Sequence, residues 1–317
     1  MKLLKYWDKA GIYVLTILTY IICAVLLGSR FASAFNMLNV LMQICLIVVG
    51  GVGITFIITC GLTDMSIGSI YTMTSIVSGF ALTRLNLGAG GAIILSLIMG
   101  IICGMINGFL VAKGKLPPFI TTLATMLAFK GASYLVSGGK DILYMTSTDF
   151  KMISGGKFLG IPNPIIIMLL LVIGGHLVYK YTRFGVYVRS VGSSITVTET
   201  SGIPVDRIII LCYVCSGIFA TLGGLLSASR TLVGTSTAGS TYSIDCICAV
   251  VLGGTSMSGG KGSVIGMAFA ALLLGFMENV LNMLNLPFYY QYIVTGVILV
   301  FALIMSNLRD LLLERKV

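Results

Sequence analysis

Charged residues and histidine are scarce in this sequence, and their scarcity limits the classes of protein to which it can belong. Asp, Glu, Lys and Arg make up 9% of its 317 residues, with a single histidine, whereas a soluble domain carries about 25% charged residues. All polar stretches are short, which leaves no room for a sizeable soluble catalytic domain. No Ser/His/Asp set, paired carboxylates or cofactor-binding loop points to an enzyme.

Apolar residues dominate instead. They account for 57% of the chain, and the mean hydropathy is +1.05. A helix crosses a bilayer with about 20 apolar residues. We therefore predict an all-α integral membrane protein with about ten transmembrane helices, at residues 10–29, 37–59, 66–84, 89–112, 118–137, 163–180, 207–229, 244–258, 263–284 and 289–306.

The distribution of Lys and Arg predicts how the chain is oriented. With the amino terminus in the cytoplasm, thirteen of these residues lie on the inner side and six on the outer side. Because cytoplasmic loops carry the excess of positive charge, we expect both termini in the cytoplasm, and we do not read the net charge of +10 as a sign of nucleic-acid binding. The single transmembrane domain then comprises a first half at 10–180, a cytoplasmic loop at 181–206, a second half at 207–306 and a cytoplasmic tail at 307–317.

Short motifs recur in the two halves. Residues 116–119, LPPF, open the fifth predicted span, and residues 286–288, LPF, open the tenth. Asp64 stands just before the third span and Asp245 begins the eighth. With ten spans, corresponding helices run in opposite directions, which is the signature of an inverted repeat.

The glycine-rich stretch at 253–262, GGTSMSGGKG, is similar to a phosphate-binding loop but fails its spacing. A Walker A loop requires G-x-x-x-x-G-K-[ST], and no register of this stretch places the glycines, the lysine and the hydroxyl residue together. The chain is therefore not expected to bind ATP. We interpret Gly253, Gly254, Thr255 and Ser256 as the end or break of a helix.

Polar residues near or inside the predicted spans are further candidates. Asp64 lies two residues before Ser66 and is positioned to cap the third span, with Gly68 just beyond; a contact with cargo or a partner subunit is the alternative. Polar groups within a span are costly and should face protein or a water-filled cavity. These intramembrane candidates are Lys130, Glu278, Asn279 and Asn282.

Five blocks in one order resemble the permease subunits of bacterial ABC importers for monosaccharides, of the ribose permease type. The most specific is 242–262, YSIDCICAVVLGGTSMSGGKG, and the others are 111–139, 182–203, 64–69 and 288–291. Any block alone is weak, but the set in this order is specific, and the resemblance spans about residues 40–305, nearly the whole chain. The resemblance makes Asp64, Ser66, Gly68, Asp245 and residues 253–256 candidates for broken or tightly packed helices beside a transport pathway.

The resemblance also implies partners and a location. It implies the bacterial cytoplasmic membrane, a homodimer of permeases, an ABC ATPase subunit on the cytoplasmic face and an extracytoplasmic solute-binding protein. ATP would bind to the ATPase subunit, and this chain would hold no cofactor. A coupling helix is implied within about Ser193–Ser201. The implied coupling residues are Gly192, Ser193, Ser194, Thr198, Glu199, Ser201 and Gly202.

Departures from the family pattern leave the cargo open. Residues 194–197 are Ser-Ile-Thr-Val where the family usually has Asn-Glu-Ala-Ala. Because β-branched residues weaken helix propensity, we expect a short coupling helix. A nucleoside, a furanose-like signal or an amino acid are alternative cargoes. A secondary transporter driven by an ion gradient is the rival class, and it would need a titratable carboxylate such as Glu278 at mid-membrane.

Overall fold

The computed structural model describes residues 2–143, 147–287, 289–297, 300 and 304. Within these residues the chain is helical apart from one short β-hairpin and the connecting loops. The helices are α1 (Lys2–Leu27), α2 (Ser29–Ala32), α3 (Ala34–Thr59), α4 (Ile67–Thr83), α5 (Ala89–Ala112), α6 (Pro118–Ser137), α7 (Thr148–Gly155), α8 (Asn163–Tyr181), α9 (Arg183–Ser193), α10 (Ile195–Thr200), α11 (Val205–Thr231), α12 (Tyr242–Leu252) and α13 (Val264–Met283). The hairpin pairs β1 (Lys157–Phe158) with β2 (Ile161–Pro162).

Seven helices of the described chain are long and apolar enough to cross a bilayer. They are Ala10–Leu27, Ala34–Thr59, Ala89–Ala112, Pro118–Ser137, Asn163–Tyr181, Val205–Thr231 and Val264–Met283. The class is therefore all-α and multi-span, as predicted. The count of ten is not confirmed, because α4 and α12 are shorter apolar helices and the tenth predicted span, 289–306, extends beyond the continuously described residues.

The eighth predicted span was wrong in its extent. It was placed at 244–258, but α12 ends at Leu252 and residues 253–263 are not helical. Gly254, Gly259 and Gly260 have φ angles of 87°, 85° and 75°. Since a right-handed helix needs negative φ, these glycines end the helix. The apolar run at 246–252 set the high hydropathy of the predicted span, and hydropathy alone does not show that the glycines after it end the helix.

Proline starts α6 as the sequence predicted. Pro117 is its N-cap and Pro118 its first residue. Proline is tolerated there because the first helical amides have no intrahelical acceptor. At the other end Gly138 adopts the left-handed conformation, with φ 67°, and closes the helix.

Two long helices, α3 and α11, form the centre of the bundle and pack against each other. Each also packs against two helices of the other half: α3 against α12 and α13, and α11 against α4 and α5. This exchange of partners is the arrangement expected when two halves are related by an approximate twofold axis in the membrane plane.

Small residues at four-residue spacing allow α5 and α11 to approach closely. A methyl group added to Gly104 would lie 2.5 Å from the Tyr213 carbonyl oxygen, and one added to Gly108 would lie 2.8 Å from Ile210 Cα. Helices in membranes associate through such small-xxx-small stripes because their backbones can then pack in direct contact. Gly100 extends the stripe by one more turn, where an added methyl would clash with Thr221.

Candidate functional site

The starts of the two short helices, α4 and α12, meet inside the bundle. The amide of Gly68 donates to Ser243 Oγ at 3.0 Å, and Ser243 Oγ donates to the Met65 carbonyl at 2.8 Å. A side chain at Gly68 would come within 2.8 Å of that same Ser243 oxygen. Glycine is therefore needed at 68, and a residue of the second half caps the first turn of a helix of the first half.

The segment leading into α12 runs antiparallel to α4. The Thr235 amide donates to Ser75 Oγ at 3.2 Å, and the Gly239 amide donates to Thr72 Oγ1 at 2.9 Å. The contacts thus pair 235 with 75, 239 with 72 and 243 with 68, as expected for two segments that run in opposite directions. α12 then continues beyond the start of α4. We call this region, residues 60–68 with 235–245, the paired helix start.

Asp64 is the only acid at the start of α4, and it is 1% exposed. Its Oδ1 accepts from the Ser66 amide at 2.9 Å and from Ser66 Oγ at 2.7 Å, while Oδ2 accepts from Ser216 Oγ of α11 at 2.7 Å. Asn107 Nδ2 of α5 donates to Ser66 Oγ at 2.7 Å. The carboxylate thus joins Ser66, the N-cap residue of α4, to α11, and Asn107 joins the same residue to α5.

Neutral donors alone hold the Asp64 carboxylate. Within the described part of the chain, the ion pairs are those of Lys113 and Lys115 with Asp206, at 2.8 and 3.2 Å. The positive end of the α4 dipole adds to the hydrogen bonds. This arrangement fits the predicted capping role better than the alternative contact with cargo, because the carboxylate oxygens already have their partners.

Two of the four predicted intramembrane residues have partners on α3. Glu278 accepts from Gln43 Nε2 at 3.0 Å. Asn279 and Asn36 donate to each other's amide oxygens, both at 2.9 Å. Asn36 and Gln43 were missed by the sequence reasoning, although their spacing of seven residues within an apolar span places them on one helix face.

Asp245 lies in the first turn of α12 and is partly buried. Its helix packs against α13, which carries Glu278. Asp245 is not the counterpart of Asp64 in structure, since Asp64 precedes its helix and is fully enclosed. The two acids that recur in the halves, Asp64 and Asp245, therefore have different surroundings.

Lys130 and Asn282 face away from the core. Lys130 is exposed on α6, so its long side chain is free to reach the interface. Asn282 is exposed in the last turn of α13 and accepts from Gln291 Nε2 at 2.8 Å.

The glycine-rich stretch after α12 folds on itself. The Ser256 amide donates to the Lys261 carbonyl at 3.0 Å, and Thr255 Oγ1, which is buried, accepts from the Ser263 amide at 3.3 Å. A methyl group on Gly253 would lie 2.5 Å from Met267 Cα at the start of α13. The stretch thus makes a tight turn between helices, and Lys261 is exposed.

Three glycine-containing segments meet below the paired helix start. The Gly260 amide donates to the Thr59 carbonyl at 2.8 Å. A methyl group on Gly192 would lie 2.5 Å from the Gly260 nitrogen, and one on Gly259 would lie 3.0 Å from both Gly192 Cα and Gly61 Cα. We call Thr59, Gly61, Gly192, Gly259 and Gly260 the glycine junction. It places α9 in direct backbone contact with the end of α3 and with the loop after α12.

The predicted coupling segment contains a short helix, α10, of six residues. Ser194 ends α9 and begins α10, and its Oγ accepts from the Val197 amide at 3.3 Å. Thr198 is 3% exposed, and its Oγ1 donates to the Ser194 carbonyl at 2.7 Å. The helix is short, as we expected from the β-branched residues in its sequence.

Beyond α10 the chain turns sharply at Ser201 and Gly202. Ser201 Oγ donates to the Val197 carbonyl at 2.8 Å, and Gly202 has a φ of 78°. Glu199 points into solvent. Between α9 and α10 lies an open cavity of about 420 Å³, lined by Arg189, Ser193, Val197, Ser201 and Gly260 among others.

The chain is an all-α bundle with several helices long enough to span, short apolar helices whose starts meet in its interior, and a helix pair outside the spans, an arrangement known from membrane transport proteins. The chain matches the family described as "Branched-chain amino acid transport system / permease component" over residues 36–303. Because the match covers most of its length, the chain belongs to that permease family. It is thus an all-α, multi-span protein of the ABC importer permease type.

Curated relatives match nearly end to end. The ribose import permease protein RbsC of Escherichia coli strain K12 is 33% identical over 310 residues, covering 96% of each chain. RbsC of Bacillus subtilis strain 168 is 36% identical over 299 residues, covering 94% of this chain and 91% of the relative. The L-arabinose transport system permease protein AraH of Escherichia coli strain K12 is 31% identical over 315 residues, covering 96% and 92%. No solved structure matches the chain significantly.

Proposed function

We propose that this chain is the membrane subunit of an ATP-driven importer for a monosaccharide similar to ribose. The observation that carries the proposal is the 33% and 36% identity to two ribose import permeases over at least nine-tenths of each chain. The family description speaks of branched-chain amino acids, so an amino acid is the second candidate cargo. The sugar is favoured because the full-length relatives carry sugar names.

ATP binds to a separate ATPase subunit in this proposal. The chain's own glycine-rich stretch lacks Walker A spacing, and it is closed by the contacts of Ser256 with Lys261 and of Thr255 with Ser263. The ATPase docks on the α9–α10 pair, with both termini and that pair in the cytoplasm. Exposed apolar side chains there, Ile195 and Val197, supply contact area.

Movement passes from the ATPase to the pathway through the glycine junction. Displacement of α10 moves α9, because Ser194 is the single residue between the two helices. Gly192 of α9 packs against Thr59, which precedes the link at 60–66, and against Gly260, which is part of the link at 253–263. Each link joins two apolar helices, α3 to α4 and α12 to α13. The bundle can therefore change shape at the links without breaking helical hydrogen bonds.

Two copies of the chain enclose the pathway, and a solute-binding protein delivers cargo on the opposite face. Asp64, Ser66, Gly68 and residues 253–256 shape the helices beside that pathway. Asp245 of α12 and Glu278 of α13, which accepts from Gln43 of α3, are further candidates to line the pathway.

Uptake in reconstituted vesicles tests the proposal. The chain is co-reconstituted with its ATPase and binding protein, and labelled ribose uptake is followed with ATP inside, with ATP omitted, and with ATP present but the proton gradient collapsed. Uptake that needs ATP and survives collapse is expected. Uptake lost whenever the gradient collapses would support a secondary transporter and direct attention to Glu278. ATP-dependent uptake of leucine but not ribose would support the amino-acid alternative.

A further inference from the structure

The connection between α6 and α8 lies against one end of α11. Ser154 Oγ of α7 donates to the Leu226 carbonyl at 2.7 Å, and the Ser154 amide donates to Ser229 Oγ at 3.0 Å. Ser229 Oγ in turn donates to the Phe150 carbonyl at 2.6 Å. Since α11 ends at Thr231, α7 is fixed to its last two turns.

These contacts give the depth of α7 relative to the bilayer. α11 has 27 residues, which corresponds to about 40 Å at ~1.5 Å per residue. A bilayer with its headgroup layers is about 40–45 Å thick. The last two turns of α11 therefore reach the headgroup layer, and α7 and the following hairpin lie at that level, on the side that the charge count places outside.

Apolar side chains and lysines point outward from this connection. The exposed fractions are 54% for Met152, 64% for Phe158 and 88% for Leu159. Lys151 and Lys157 are also exposed, and neither forms an ion pair with another described residue. Large apolar side chains at such exposure, next to free cations, are typical of surfaces that bind a lipid interface.

The hairpin tip carries a leucine where the backbone disfavours one. Leu159 and Gly160 occupy the turn with φ angles of 51° and 82°. A two-residue turn with both φ angles positive usually holds Asn, Asp or Gly, and a branched apolar residue there costs conformational energy. An apolar tip is thus present despite its backbone cost, which indicates that the tip has an apolar surrounding in the working protein.

We propose that α7 and the β1–β2 hairpin form an interfacial anchor that binds anionic phospholipid. Phe158 and Leu159 enter the upper acyl region, while Lys151 and Lys157 reach lipid phosphates by extending their side chains along the interface. The anchor is continuous with α8, which begins directly after β2 and exposes Leu170 to 64%. That continuity and the depth of α7 favour lipid over a docked protein.

Tryptophan quenching tests this placement. Trp7 is the single tryptophan, so Trp7→Phe gives a silent background in which Leu159→Trp, or Phe158→Trp if the first variant folds poorly, reports on the tip. The protein is placed in nanodiscs with phospholipids brominated near the headgroup or near the chain end. Leu170→Trp serves as the control within the bilayer, and Ile195→Trp on α10 serves as the control in water.

The expected result is strong quenching of the tip by bromine near the headgroup and weak quenching by bromine near the chain end. Leu170→Trp should respond more to the deeper bromine, and Ile195→Trp should respond to aqueous acrylamide alone. A tip that behaves like Ile195→Trp would overturn the proposal. If that tip then became protected only when the solute-binding protein was added, the surface would belong to a protein partner.

A second arm tests the lysines. In the same reporter, brominated phosphatidylglycerol should be enriched at the tip several-fold over brominated phosphatidylcholine, on the basis of roughly fivefold per lysine near an anionic surface. The double variant Lys151→Gln with Lys157→Gln should abolish that preference, whereas Lys130→Gln on α6 should leave it unchanged. Equal quenching by the two lipids in the unaltered connection would overturn the assignment of the lysines to phosphates.

Discussion

The amide of Gly260 and the carbonyl of Thr59 form a 2.8 Å hydrogen bond between the loop after α12 and the last residue of α3. Gly192 of α9 fills the space beside this bond. This hydrogen bond joins the end of α3 to the loop after α12. Gly192 packs beside it, so both segments are in contact with α9, which leads into α10. The contact is made by backbone atoms, so a displacement of α9 reaches α3 and the loop after α12 without being absorbed by a side-chain rotation.

Gly192→Ala should impair coupling more than it impairs folding. The added methyl group would lie 2.5 Å from the Gly260 nitrogen, which forces the junction apart, and overpacking of this kind costs about 1–3 kcal/mol. We expect ATP-dependent uptake to fall at least about tenfold, on the scale of 1.4 kcal/mol per tenfold, while the ATPase still binds. Uptake and ATPase co-purification are measured in parallel.

Gly174→Ala on α8 is the matched control for that variant, because nothing lies within 4 Å of the position of its added methyl group. It should transport like the parent protein. If the parent complex transports sugar and Gly192→Ala transports it equally well, the glycine junction does not carry the movement.

Asp64 should tolerate an amide better than truncation. Asp64→Ala removes the acceptor of three hydrogen bonds from Ser66 and Ser216, and each buried donor without a partner costs about 1–3 kcal/mol. We expect little monodisperse protein on size-exclusion chromatography. Asp64→Asn keeps one oxygen for Ser66 and offers an N–H to Ser216 Oγ, so it should remain folded. An equally severe loss in Asp64→Asn would mean that the negative charge itself is required.

Ser243→Ala should lower the thermal stability of the purified protein. It leaves the Gly68 amide and the Met65 carbonyl without the partner they share, and the expected cost is about 1–3 kcal/mol. The measurement is the unfolding midpoint in nanodiscs. Ser137→Ala, at a half-buried position in the last turn of α6, is the control and should change the midpoint little. Equal midpoints for the two variants would argue against capping across the halves.

A pH-dependent contact lies on the α7 side of the molecule. Asp141 accepts from the Ser236 amide at 2.9 Å and from Thr235 Oγ1 at 2.7 Å, and these bonds hold the pKa of its carboxyl below the ordinary range. The folded pKa is thus lower than the unfolded pKa of about 3.9. The stabilisation is therefore complete above that value and is lost as pH falls through the lower folded pKa.

Hydrogen exchange at the Ser236 amide measures this contact. Protection relative to the intrinsic exchange rate should hold from neutral pH to about pH 4 and should decrease below it. Asp141→Asn should reduce protection at neutral pH and remove the acid dependence. Protection that stays constant down to pH 2 in the parent protein would show that the carboxylate does not hold residues 235–236.

Much of the fold followed from hydropathy, and the exceptions have physical causes. Runs long enough to span were placed within a few residues, as for α5 at 89–112 and α6 at 118–137. Proline chemistry located the start of α6. The predicted span at 244–258 ran past the end of α12, although residues 253–256 were interpreted as the end or break of a helix, and the structure has the turn there with Gly253 packed against Met267.

The site was predicted in part. The short helix at 195–200 agreed with the β-branched residues of that segment, and Asp64 was correctly associated with the start of α4. The partners across the bundle, namely Ser243 for Gly68 and Gln43 for Glu278, were not predicted. They depend on contacts between residues far apart in sequence, for which local pattern carries no information.

The cap that Ser243 provides to α4 also bears on how the protein is made. Gly68 and Ser243 are 175 positions apart, and at about 5–20 residues per second the ribosome needs roughly ten seconds or more to supply the second residue after the first. During that interval α4 has entered the membrane with its first turn incomplete. The nascent first half must therefore wait, shielded by the insertion machinery or by water near the links, until α12 arrives to complete it.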